Sequence, residues 1–210
     1  MAKITNTRVY GIDESIFRSG YPMMSIAPSE EEFFHEVEMI EIYRCAEKYE
    51  NPHIKRAIKL AQAKGGGHDQ YLTGVTVTFD LTLSNKAWLQ AERYKFLNFI
   101  SSTSVMHRIQ NMNISESCNS YVRADTITYL ENLQKRYNNE NDKKIKDELF
   151  LELVYNLPSG FEMTAGMITN YRCLKNIWGQ RCKHKLSDWD MFCTWIQTLP
   201  MAKELICGGV

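Results

Sequence analysis

Val75-Thr76-Val77-Thr78-Phe79-Asp80-Leu81-Thr82-Leu83-Ser84 alternates strictly between apolar and polar residues. A period of two places Val75, Val77, Phe79, Leu81 and Leu83 on one face, with Thr76, Thr78, Asp80 and Thr82 on the other. β-branched and aromatic residues dominate the run, so it reads as a half-buried strand spanning Tyr71 to Ser84. Upstream, Gly65-Gly66-Gly67 reads as a helix stop and corner. A phosphate cradle there needs a following helix and a P-loop lysine, and a strand follows instead.

On either side of the strand the pattern is mostly helical. Arg8 to Ile12 is a short extended stretch. Pro28-Ser29-Glu30-Glu31-Glu32 then opens a helix running to about Tyr49, with Ser29 and Glu32 spaced as a capping box. Asn51-Pro52 starts a second helix, Ile54 to Lys64. Downstream, a helix is expected from Lys86 to about Phe99, then an irregular region to Asn119. Helices from Ala124 to Tyr137 and from about Asp142 to Tyr155 end at the break Leu157-Pro158-Ser159-Gly160. One long helix is expected from Phe161 to about Arg181, and a last one from Ser187, bent at Pro200. The fold class is α+β, mostly helical with a small antiparallel or mixed sheet. Residues 1–210 read as one domain. Its parts are N-terminal helices at 29–64, a strand-and-helix region at 67–106 and a C-terminal helical region at 123–206.

Composition excludes more than it selects. The chain has 210 residues, 44% hydrophobic and 24% charged, with formal net charge zero. Such a balance gives no push toward nucleic acid or an anionic membrane, so no direct nucleic-acid binding is expected. Any ligand phosphate has to be met by a few placed cations. The apolar runs are too short to span a bilayer, and Met1 to Asn6 lacks a signal-peptide core, so the expectation is a cytoplasmic protein. The six cysteines form no C-x-x-C pair, which argues against a zinc site and for buried or semi-buried free thiols.

Two segments together resemble the flavin-dependent thymidylate synthases. The first is Gly67-His68-Asp69-Gln70-Tyr71, the strand, and Gln90-Ala91-Glu92-Arg93-Tyr94-Lys95. It is similar to the family's Gly-His turn, strand and Gln-x-x-Arg-His-Arg. The second is Leu157-Pro158 followed by Asn170-x-Arg172-x-Leu174-x-Asn176-x-x-x-x-Arg181, which matches the family's helix without a gap; His184 and Trp189 echo its continuation. The likeness spans roughly residues 67–192.

The resemblance implies a flavoprotein binding FAD and a pyrimidine deoxynucleotide such as dUMP. An active member also uses methylene-tetrahydrofolate and NADPH, and the family assembles as homotetramers. His68, Asn170 and Asn176 match flavin-contacting positions, and Arg93 matches one between flavin and nucleotide. Lys95 replaces the second arginine and is carried as a further cofactor-binding candidate. Gln90 and Arg181 match nucleotide-holding positions; Ser101 and Thr103 fall in the loop that binds nucleotide. These types suit the task, because guanidinium forks pair with phosphates or carbonyls and carboxamides pair with ring edges.

The departures are equally specific. The family's Arg-His-Arg-x-x-Ser-x-Asn-Glu-x-Ser-x-Arg-Tyr, laid over 93–106, keeps Arg93, places Tyr94 for His and Thr103 for the second Ser, and replaces Asn-Glu by Ile100-Ser101. Arg-Tyr becomes Val105-Met106, and a further family arginine falls on Val154. Three readings remain open: a flavin-dependent enzyme transferring a one-carbon unit to C5 of a pyrimidine nucleotide, an inactive ligand-binding protein, and an interaction scaffold. Ordinary structural roles stand beside each candidate. His68 also suits a turn, Arg172 and Asn176 suit a solvated pair one helical turn apart, and His107 with Arg108 suits a surface loop.

Overall fold

The computed structural model describes residues 3–63 and 67–208. Lys3–Tyr10 forms β1 and Thr76–Ser84 forms β2, whose Val77, Phe79, Leu81 and Leu83 are buried as the alternation requires. Asn98–Ser102 forms β3 and Glu162–Asn170 forms β4. The order is β1-β2-β4-β3, and every pairing is antiparallel. β2 and β4 pair in register from Thr76 with Asn170 to Ser84 with Glu162. The Thr82 and Thr164 hydroxyls hydrogen bond across this ladder at 2.7 Å.

Two helical expectations give way to strands. The helix after β2, α4 below, is short and stops at Ala91, and residues 98–102 pair with β4 instead of continuing it. The segment expected as one helix from Phe161 to Arg181 is β4 followed by a helix. In both places the gain from cross-strand pairing outweighs a local preference that is only tenths of a kcal/mol per residue. The strand expected from Tyr71 begins at Thr76, because Gln70–Gly74 winds into a 3-10 turn.

The first three helices pack beside the sheet. α1 (Ile12–Arg18) was not foreseen and lies where the N-terminal extended stretch ends. Gly11 at that corner has φ +73, and a Cβ there would lie 2.7 Å from the Gly74 carbonyl oxygen, so the corner needs glycine. α2 (Glu30–Cys45) is capped as expected: Glu32 N–H donates to Ser29 Oγ at 3.2 Å, and Ser29 N–H donates to Glu32 Oε2 at 2.8 Å. It ends before Tyr49. Arg44 of α2 forks onto buried Asp13 of α1 at 2.6 and 2.7 Å, joining the two helices. α3 (Pro52–Gln62) starts from Asn51, whose side chain accepts from His53 and Ile54. Gly65 and Gly66 of the expected helix stop lie outside the described residues, and Gly67 has φ +93.

The remaining helices are α4 (Asn85–Ala91), α5 (Val105–Arg108), α6 (Ala124–Asn139), α7 (Lys143–Tyr155), α8 (Tyr171–Arg181) and α9 (Ser187–Ile196). Pro200 follows α9 in a turn that leads to a π-helical turn at Lys203–Cys207. The main core sets Phe79, Leu81, Ile177, Trp189 and Phe192 between sheet and helices. Burying each such side chain stabilises the fold by roughly 1.5–3 kcal/mol. A second cluster, with Leu130, Leu133, Leu149 and Leu153, holds α6 to α7 and to Phe161. No described helix is long and apolar enough to cross a membrane.

Candidate functional site

Asn170 closes β4 and caps α8. Its Oδ1 accepts from Cys173 N–H at 2.9 Å, which places the side chain at the seam between strand and helix. Asn176 stands farther along the same helix. Facing them is the turn after α4, where Arg93 and Lys95 are exposed on either side of buried Tyr94. Arg93, Lys95, Asn170 and Asn176 line one cavity of about 700 Å³, together with Tyr94 and Gln180. Two residue pairs more than seventy positions apart thus converge on one cavity.

Electrostatically the cavity is cationic. Neither Arg93 nor Lys95 has an ion-pair partner among the described residues. The one acid in its lining, Asp69, is taken by Arg172 at 3.1 Å and Lys175 at 2.8 Å. Burial works to raise the Asp69 carboxyl, but Lys175 and Arg172 outweigh it and hold it below its ordinary value. Lys175 also donates to the Ala61 carbonyl at 2.6 Å, and Arg172 donates to Gln70 Oε1. Arg172 is therefore a structural anchor for the turn, and it does not pair with Asn176 along the helix.

His68 sits on that turn, exposed, and lines a second, larger cavity of about 1310 Å³. Arg18, Arg56, Phe33, Phe34 and Tyr71 share that lining, and Gln70 and Thr73 border both cavities. Arg56 donates to the Ile16 and Phe17 carbonyls at 3.4 and 3.2 Å and to Ser19 Oγ at 3.2 Å, capping α1. Burial lowers the Arg56 pKa. His68 is thus separated from the Arg93 cavity by the Gln70 and Thr73 wall.

Gln90 and Arg181 also meet, but neither lines that cavity. Arg181 Nη1 donates to Gln90 Oε1 at 3.0 Å and Nε donates to the Tyr94 hydroxyl at 2.8 Å. Trp189 Nε1 donates to the same Gln90 oxygen at 2.9 Å, and the guanidinium stacks 4.8 Å from the Trp189 ring centroid. Arg181 has no carboxylate partner among the described residues. Its charge is met by two oxygens and two aromatic faces.

Ser101 and Thr103 lie elsewhere within the chain. Ser101 pairs with Gly166 on the sheet edge, and Thr103 is pinned to β4 through Thr164. Neither lines the Arg93 cavity. His107 and Arg108 are exposed on α5, and Val154 lies on α7, among its exposed and half-buried residues. Sequence reasoning missed Gln180 and Lys175. The i,i+4 spacing of Asn176 and Gln180 was an available signal for the first, and nothing local announced that Lys175 would reach Asp69.

No protein-family model matches this sequence, and no curated protein does. Solved structures do. One is a flavin-dependent thymidylate synthase ThyX from Helicobacter pylori complexed with FAD and dUMP, at 14% identity and TM-score 0.64, covering 99% of each chain. Another is a Thymidylate Synthase X (ThyX) from Helicobacter pylori with FAD and dUMP, at 16% identity and TM-score 0.62, covering 98% of this chain and 97% of that one. At such identities the likeness is one of fold, and the architecture built from β1–β4 and α1–α9 is the fold of these ThyX structures.

Proposed function

We propose that this protein binds a flavin, FAD, and a pyrimidine deoxynucleotide such as dUMP. One observation carries the reading. Arg93, Lys95, Asn170 and Asn176 converge on one cationic cavity, in a fold shared with ThyX proteins solved with those two ligands.

The donor set fits a flavin nucleotide. Arg93 and Lys95, without ion-pair partners among the described residues, offer charge to phosphate, and the two asparagines offer carboxamides to a ring edge. The cavity volume lies in the usual range for small-molecule sites, roughly 300–1,000 Å³. His68, across the Gln70 and Thr73 wall, belongs to the same site if the ligand extends into the second cavity. Gln90 and Arg181 support the nucleotide side, with Ser101 and Thr103 joining from the sheet edge of another copy. A homotetramer is part of this reading, as is a cytoplasmic setting. When bound and reduced, a flavin supplies a hydride. The chain's own contribution is to hold the ligands, keep cationic charge beside them and exclude water. With methylene-tetrahydrofolate as carbon donor and NADPH as reductant, the reaction class is one-carbon transfer to C5 of the pyrimidine.

A second reading, ligand binding without turnover, is favoured by the state of Arg181. It is committed to Gln90 and Tyr94, and Val154 replaces the cation expected from α7. The absorption spectrum of the purified protein, with mass spectrometry of any ligand released, tests the flavin reading. Protein that is colourless and stays so after incubation with FAD refutes it. Product formed from dUMP, the folate donor, FAD and NADPH excludes the second reading.

A further inference from the structure

The Tyr94 hydroxyl sits between two α8 side chains of opposite hydrogen-bonding capacity. Arg181 Nε donates to it at 2.8 Å, and a guanidinium has no acceptor to offer. The phenol has one proton, which goes to Gln180 Oε1 at 3.1 Å. Gln180 then turns its NH2 the other way, and Nε2 donates to Asn176 Oδ1 at 3.0 Å. Polarity runs in one direction, from Arg181 through Tyr94 and Gln180 to Asn176. That bond turns the Asn176 oxygen toward Gln180 and leaves its NH2 as the end without a protein partner among the described residues. The Asn170 oxygen is likewise turned to a protein donor, capping α8 at Cys173. Arg93 and Lys95 are donors by nature.

We propose that Tyr94 is a positioning residue that fixes Asn176 as a hydrogen-bond donor toward the cavity. A bound molecule that presents acceptors to this wall, such as carbonyl oxygens, ring nitrogens or phosphate oxygens, is then held in preference to one that presents donors. The inference rests on the flavin reading above and narrows it, since a flavin's pyrimidine edge carries two carbonyls. Without the phenol proton the Gln180 oxygen loses its one protein donor among the described residues, and the carboxamide is free to turn over and release Asn176. The site then loses its discrimination between acceptor and donor edges.

Tyr94→Phe keeps the ring and its edge contact with Trp189, 6.0 Å between centroids, and removes only the hydroxyl. FAD affinity is measured by flavin fluorescence quenching in wild type, Tyr94→Phe, Asn176→Ala and the double variant. Tyr94→Phe is expected to weaken FAD about five- to tenfold, and to add nothing in the Asn176→Ala background. Equal losses in both backgrounds, or no loss in wild type, overturn the proposal. If Tyr94→Phe fails to fold, Gln180→Leu cuts the relay one link later and is read the same way. The side-chain amide resonances of Gln180 and Asn176 give a ligand-free readout. They shift together in Tyr94→Phe if the relay exists and stay in place if it does not. A wild type that binds no FAD refutes the flavin reading, while these resonances still decide the relay.

Discussion

The Lys175 ammonium lies 2.8 Å from the Asp69 carboxylate, and this contact fastens the turn that carries His68 to the helix that carries Asn176. Arg172 grips the other carboxylate oxygen at 3.1 Å. Two cavities that border the same turn therefore depend on one acid for their relative placement.

Asp69→Asn removes the charge while keeping the shape. Because both partners are partly exposed, the expected loss is about 1–2 kcal/mol. The Asp69 carboxyl is depressed in the folded state, below its ordinary 3.8. Its stabilisation is thus complete above that value and disappears as pH falls through the lower folded value. Melting temperatures of wild type and variant should differ at pH 7 and converge in acid. A gap that persists once pH has fallen below the folded value would show the contact is not ionic.

Arg93 is exposed and free of ion pairs among the described residues, so its charge is available to a ligand. Arg93→Ala should weaken FAD about tenfold and flatten the salt dependence of binding, with melting temperature unchanged. Loss of folding stability comparable to the loss of affinity would assign Arg93 a structural role instead.

Arg181→Lys keeps the charge and loses the fork. A lysine ammonium cannot meet Tyr94 and Gln90 together while lying flat on Trp189. Urea unfolding should report a loss of about 1–3 kcal/mol. An unchanged midpoint would mean that the cluster contributes only geometry.

The thiols divide by environment. All six cysteines are free, Cys45 is exposed, and Cys173 and Cys193 are buried. Burial, with a smaller contribution from neighbouring Cys182, pushes the Cys193 thiol up to about 12. At pH 8 roughly one part in 10,000 is then thiolate, the reactive form. Iodoacetamide followed by peptide mass spectrometry should find Cys45 alkylated and Cys193 untouched until denaturant is added. Equal rates at the two would contradict the assigned burial.

What the sequence disclosed follows from where each signal resides. Strand β2 was legible because Val77 to Leu83 alternate with threonines and Asp80, and the Ser29–Glu32 cap because four residues contain the whole interaction. Strand β4 was hidden. Its inward residues include Ala165, Met167 and Thr169, its outward ones Thr164, Gly166 and Ile168, so apolarity hardly differs between faces. Residues 98–102 become a strand only because β4 lies beside them. Arg93, Lys95, Asn170 and Asn176 were singled out from a family resemblance, and no local pattern in either segment says that the two meet at one cavity. Nor was the engagement of Arg181 by Tyr94 and Gln90 legible, since it depends on the Tyr94 and Trp189 rings arriving at the same place.

The β2–β4 ladder joins residues 76–84 to 162–170, and everything between is a long excursion whose ends must meet before the sheet exists. Closing such a loop carries an entropic cost before any pairing offsets it. Helices α6 and α7 lie inside that excursion, adjacent in sequence and with their own leucine cluster. They should form first and shorten the effective loop. Pulse-labelled hydrogen exchange during refolding is expected to protect amides of α6 and α7 before those of β4. The binding cavity, which needs Asn170 at the end of β4, would then be among the last parts of the molecule to acquire its shape.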